Sequence, residues 1–141
     1  MEKTLAPFGP YAYAILRINA GLLFVSHGGQ KLFGWFGGQP VPLASLFGLA
    51  GIIEIVLGLL ITIGLFTSYA AFIASGEMAV AYFMAHFPKS FWPLENQGEP
   101  AVLFCFIFLF MTTQGSGIWS VDAASGRREI EVPVTKRRQH G

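Results

Sequence analysis

Three charged residues stand inside apolar stretches where water is scarce. Arg17 lies in YAYAILRINAGLLFVSHG, Glu54 in LASLFGLAGIIEIVLGLLITIGLF, and Glu77 in the run from Tyr69 to Phe87. A charge in the hydrocarbon core of a bilayer costs roughly 2.5–3.5 kcal/mol on insertion scales, so such groups pair with one another or line a functional cavity. One guanidinium neutralises one carboxylate; the other carboxyl has to pair elsewhere or take up a proton. A surplus carboxyl suits proton handling, and Glu54, slightly nearer the outer side, is expected to be the surplus one. Arg17, Glu54 and Glu77 are therefore the catalytic candidates. The plainer reading is that Arg17 and one Glu form a buried ion pair that only fixes helix packing.

A second set gathers near the ends of the same stretches. His27 closes the first, Lys31 follows it by one helical turn, His86 closes the third and Glu99 opens the fourth. Together they suit the polar mouth of a quinone pocket, with His27, Lys31, His86 and Glu99 as the ligand-binding candidates. Two His and a carboxylate could also form a facial metal site, but the His pair lacks i,i+4 or HxH spacing, and neither metal nor haem is supported. Gly28-Gly29-Gln30-Lys31 lacks the spacing of a phosphate loop; its glycines are expected to permit a tight or re-entrant turn.

The stretches that carry these groups span about residues 11–28, 43–66, 69–87 and 99–119, each close to the ~20 residues that cross a hydrocarbon core. They are continuous rather than alternating in hydropathy, and lipid admits only helices or closed barrels, so they are expected to be helices. Pro100 suits the first turn of the fourth, and Thr67-Ser68 is the expected turn between the second and third. Small residues share a stripe with each charge: Ala20, Gly21 and Gly28 with Arg17; Ala50, Gly51 and Gly58 with Glu54; Ala70, Ala74 and Ala81 with Glu77. Such stripes mark helix–helix contacts, so the charges are expected to face protein.

Composition agrees. Of 141 residues, 53% are hydrophobic and 12% charged, against ~25% charged in soluble domains, and the mean hydropathy is +0.55. A net charge of +1 gives no bulk attraction to nucleic acid. Cys105 is a lone cysteine, which excludes an internal disulfide or CxxC pair, and is expected to be buried and inert. Lys3, Arg127, Arg128, Lys136, Arg137 and Arg138 fall on one side of the four stretches and only Lys31 and Lys89 on the other. That bias places both termini in the cytoplasm. The first stretch is too long for a signal-peptide core and lacks a cleavage site. The expected architecture is all-α: an integral membrane four-helix bundle over residues 1–122 in the bacterial inner membrane, with a basic cytoplasmic tail over 123–141. A weak echo (His27…Lys31…Trp35 and His86…Lys89…Trp92) hints at a duplicated two-helix unit.

Three elements together resemble the DoxX family of small four-helix membrane proteins: His27-Gly28-Gly29-Gln30-Lys31-Leu32-Phe33-Gly34-Trp35, Glu54 followed by Gly58-Leu59, and Trp92-Pro93-Leu94-Glu95-Asn96-Gln97-Gly98-Glu99. The resemblance covers about residues 11–122. It implies a four-helix membrane bundle, with His27, Lys31, Glu54, His86 and Glu99 as candidate functional positions. The family takes its name from a subunit of a thiosulfate:quinone oxidoreductase, and other members are linked to redox-stress complexes or to quinone and catechol resistance.

Three functions fit these features. The first is a membrane subunit of a quinone-linked oxidoreductase, binding quinone and relaying protons through the buried carboxyls beside a redox partner subunit. The second is a structural subunit that stabilises a larger membrane complex. The third, a small proton-coupled transporter, would need a homo-oligomer to build alternating access.

Overall fold

A computed structural model describes residues 2–126, and all regular structure among them is helical. Four helices carry the fold: α1, Gly9–Phe33; α2, Leu46–Ile63; α3, Thr67–Ala81; and α4, Glu99–Gln114. The stretch Ala6–Phe33, which contains α1, and the helix α2 are long and apolar enough to cross a membrane. At 15 and 16 residues, α3 and α4 are shorter, each about 23 Å at 1.5 Å per residue. A π-helical turn, Tyr82–His86, extends α3. The basic tail expected over 123–141 begins in the short helix Val121–Ala124; from residue 127 onward it lies outside the described residues.

The helix ends differ from the sequence-based expectation in three places, each for a local reason. Gly28 and Gly29 do not turn. They stay helical and buried, and α1 runs on to Phe33, where Gly34 caps it at φ 71°. The chain continues past His27 as helix, so His27 does not end α1 as His86 ends the π-turn after α3. The turn between α2 and α3 is made by Gly64 at φ 71° and Phe66 at φ 51°, which leaves Thr67 and Ser68 in the first turn of α3. Finally, α4 stops at Gln114 rather than near Trp119, because Gly115 and Gly117 adopt positive φ and fold the chain back under the bundle.

Glycine sets how closely α1 and α2 pack. A Cβ at Gly21 would lie 2.8 Å from the Gly58 carbonyl oxygen, and one at Gly28 would lie 2.6 Å from that of Gly51. Backbone thus meets backbone, and the pairing of 21 with 58 and 28 with 51 makes the two helices antiparallel. The second antiparallel pair is α3 with α4: the Ser75 hydroxyl donates to the Cys105 carbonyl at 2.8 Å, and Thr67 lies beside Ser116. Cys105 itself is only partly buried, with Sγ 3.6 Å from the Ser75 hydroxyl. Phe24, Ile61, Phe108 and Met111 fill the core between the pairs, with Phe24 and Phe108 edge to face at 4.8 Å. The outward faces stay apolar, as Leu23, Val56, Phe72 and Phe106 illustrate.

The loop end of the bundle is organised by Asn96, which is buried. Its amide donates to the Ser90 carbonyl at 2.7 Å and its side-chain oxygen accepts the Gly98 N–H at 2.7 Å. The Tyr82 hydroxyl donates to the Phe91 carbonyl beside it. The WPLENQGE segment is therefore a folded cap over α3 and α4.

Gly28→Leu is expected to destabilise the protein by at least about 1–3 kcal/mol, the usual cost of overpacking. Gly76→Leu, at an exposed site with nothing within 4 Å of a Cβ, is expected to change stability by less than about 0.5 kcal/mol. Thermal unfolding in mild detergent compares the two directly.

Candidate functional site

The stripe Arg17, Gly21, Phe24, Gly28 and Lys31 runs along the buried face of α1 toward α2, and its two cations do different work. Arg17 is fully buried, near the end of the bundle where α1 begins and α2 ends. Its Nη1 donates to the carbonyls of Ile61 and Thr62, both at 2.7 Å, and its Nη2 to that of Trp119 at 2.7 Å. Ile61 and Thr62 form the last turn of α2, where backbone carbonyls lack helical partners and the helix dipole is negative. Arg17 is thus a cap that ties α2 to the returning segment after α4. The ion pair expected between Arg17 and a carboxylate does not form, because these carbonyls already engage Nη1 and Nη2.

Asp122 completes this end. Its carboxylate accepts the Phe66 N–H and the Ser116 hydroxyl, both at 2.7 Å, at the start of α3. Sequence reasoning missed it. The signal was a Ser-x-Asp-type capping segment, Ser120-Val121-Asp122, just beyond a glycine break.

Lys31 is the carboxylate's partner instead. With Gly28 opposite Gly51, Lys31 stands beside α2 one turn from Glu54, and its ammonium forms a salt bridge to Glu54 Oε1. Glu54 is buried, and its second oxygen, Oε2, has no hydrogen-bond partner among the described residues. Across the space between α2 and α3 stands Glu77. Both of its carboxyl oxygens are shielded from solvent and also lack a partner there. The charges of Glu54 and Lys31 both act on it.

These three groups line a cavity of about 520 Å³ between α2, α3 and the π-turn. The remaining wall is apolar, including Phe47, Ala50, Ile53, Ile73, Met78 and Met84. Rim residues Leu49, Val80 and Met84 are more than half exposed, so the cavity opens sideways across an apolar surface. The π-turn shifts the register at the end of α3 and carries Met84 and Ala85 into the wall; such turns recur at functional sites.

The second expected cluster does not assemble. His27 is exposed and packs edge to face on Phe104 at 5.8 Å. His86 Nδ1 lies 3.0 Å from the Asn96 carbonyl, and its ring stacks on Tyr82. Glu99 is exposed in a groove between α1 and α4. None of the three lines the cavity that holds Lys31, Glu54 and Glu77. Among the described residues no three His, Cys, Asp or Glu side chains converge as a metal site would require. The physical reason is the extra length of α1: it carries His27 onto a face toward α4 and returns Lys31 to the bundle.

An all-helical chain with apolar outer faces and ionisable groups turned inward has the construction of a membrane protein. Comparison narrows the class. Residues 12–87 match the DoxX family, and the chain belongs to it. It is 38% identical over 127 residues to an uncharacterized protein of Haemophilus influenzae, covering 85% of this chain and 95% of that one. It is 28% identical to an uncharacterized membrane protein of Mycobacterium tuberculosis, covering 85% of each. No solved structure matches it.

Removing one partner of a buried ion pair strands the other. Lys31→Met is therefore expected to cost about 3–5 kcal/mol, whereas Lys31→Met with Glu54→Leu should recover most of that loss. Chemical or thermal unfolding of the single and double variants provides the check.

Proposed function

We propose that this protein is a membrane subunit of a quinone-linked oxidoreductase and that the Lys31–Glu54–Glu77 cavity is its quinone site. The observation that carries the reading is an apolar cavity of ligand size whose polar lining is one ammonium and two carboxyls. Pockets of ~300–1,000 Å³ with apolar walls and a few placed polar groups suit small ligands. A quinone head group would pass between α2 and α3 from the hydrocarbon. Lys31 has three donors and uses one on Glu54, which leaves N–H groups for a quinone carbonyl. Reduction of a quinone to the quinol takes up two electrons and two protons. The unpartnered carboxyl of Glu77 stands where it can hand over a proton, with Glu54 as the relay behind it. The electrons would come from a partner redox subunit. Arg17, a helix cap far along α1, takes no part in this chemistry.

The same reading places all four helices across a bacterial inner membrane, with both termini in the cytoplasm. The apolar outward faces of α3 and α4 support it, as does the continuation of α3 into the π-turn. Lys31 would then lie near the outer leaflet, and the folded Asn96 cap would face the outside.

Protein extracted gently from its own membrane is expected to carry quinone, and Glu77→Gln to lower quinone-reductase turnover at least about tenfold while unfolding at the wild-type temperature. That size is what the loss of one positioned proton donor usually costs at the low end. If the protein holds no quinone and Glu77→Gln changes only its assembly with other subunits, it is a structural subunit instead.

A further inference from the structure

The cavity's polar atoms are unevenly matched. Its one cationic group, Lys31, already serves Glu54 Oε1. Three buried acceptors, Glu54 Oε2 and both oxygens of Glu77, have no donor among the described residues. Glu54 is 1% exposed. A quinone brings only acceptors, so it leaves these oxygens unserved. A complementary ligand would bring N–H donors and one positive charge, on an apolar body that fits walls such as Phe47, Ile53, Ile73 and Met84. Charge balance agrees: Lys31 is already paired with Glu54, so ionised Glu77 would carry one uncompensated negative charge in an apolar space, which a ligand cation offsets.

We propose that the cavity takes a lipophilic organic cation, a primary ammonium or amidinium on an apolar body, in exchange for a proton on Glu77. The step balances simply. The Glu77 carboxyl releases its proton to solvent, and the ligand's N⁺–H groups replace it on the carboxylate oxygens; no covalent bond to carbon changes and no electron moves. The charged groups that face Glu77 are Lys31 from α1 and Glu54 from α2, and α4 contributes nothing to the cavity wall. Glu54 already has the Lys31 ammonium against its Oε1 and Glu77 has no such partner among the described residues, so Glu77 is the exchanging group. The exposed apolar rim at Leu49, Val80 and Met84 lets the ligand's body arrive from the hydrocarbon. This inference shares with the quinone reading the premise that the cavity is a ligand site, but needs none of its redox chemistry.

The test is calorimetry on the full chain in lipid nanodiscs, with empty nanodiscs subtracted, in buffers of differing ionisation enthalpy that count released protons. The probes are phenethylammonium, its N,N,N-trimethyl analogue and neutral 2-phenylethanol. Phenethylammonium is expected to bind one per chain with release of close to one proton, and roughly tenfold or more tighter than either analogue, the discrimination that charged hydrogen bonds supply. Glu77→Gln should abolish proton release, and Glu77→Asp should restore it, which separates loss of the carboxyl from loss of the fold. Equal binding of 2-phenylethanol, or binding without proton release, overturns the proposal. Titrating a short-chain quinone into the same sample separates the two readings: quinone binding without amine binding overturns only this one, and binding of neither overturns both.

Discussion

The contact of α1 with α2 governs what the rest of the molecule can do. Gly21 against Gly58 and Gly28 against Gly51 bring the two backbones together in one register. That register puts both cations of α1 where they are used. At one end Arg17 meets the open carbonyls of α2; at the other Lys31 meets Glu54. A shift of one residue would turn both away and leave two charges stranded among apolar side chains, at a cost of several kcal/mol each. Side chains larger than hydrogen at these glycines would separate the helices and lose both contacts together.

Once Arg17 is spent on carbonyls and Lys31 on Glu54, Glu77 remains. Its carboxyl is shielded from water and has no hydrogen-bond partner among the described residues. In a purely structural bundle such a group is a liability that an Ala or Leu would remove. Here the helices part at this level, and a cavity of about 520 Å³ stands in front of it. The two ends of the bundle are closed by hydrogen-bond networks around Asp122 and Asn96. Three unserved acceptors, Glu54 Oε2 and both oxygens of Glu77, lie between them, so this middle region has bonding capacity left for a ligand.

Much of this was legible in the chain. The apolar runs pointed to helices, two of them long enough to cross a membrane, and the small-residue stripes beside Arg17 and Glu54 correctly turned those charges inward. What misled was punctuation. Gly28-Gly29 reads as a turn, yet in a close helix pair glycine serves approach as much as bending, and α1 continues through it. That one difference moved Lys31 from a loop to the bundle and dissolved the expected cluster of His27, His86 and Glu99. Counting one Arg against two Glu pointed to a surplus carboxyl but placed it on Glu54 rather than Glu77, because the count could not see backbone carbonyls, which took the Arg and left Lys31 as the partner of Glu54. Asp122 was missed for a related reason: its capping segment was readable, but the backbone group it caps, the Phe66 N–H, is distant in sequence and no spacing rule encodes that.

The central claim is that Glu77 carries a carboxyl that is unpaired and faces an apolar cavity, whereas Glu54 is paired with Lys31. Dicyclohexylcarbodiimide reacts with protonated carboxyls in apolar surroundings, and peptide mass spectrometry locates the adduct. In native membranes the expected result is modification at Glu77 with Glu54 spared, and Glu54 becoming reactive in Lys31→Met. Modification of Glu54 in preference to Glu77 in the unaltered protein, or no modification of either, would contradict the account.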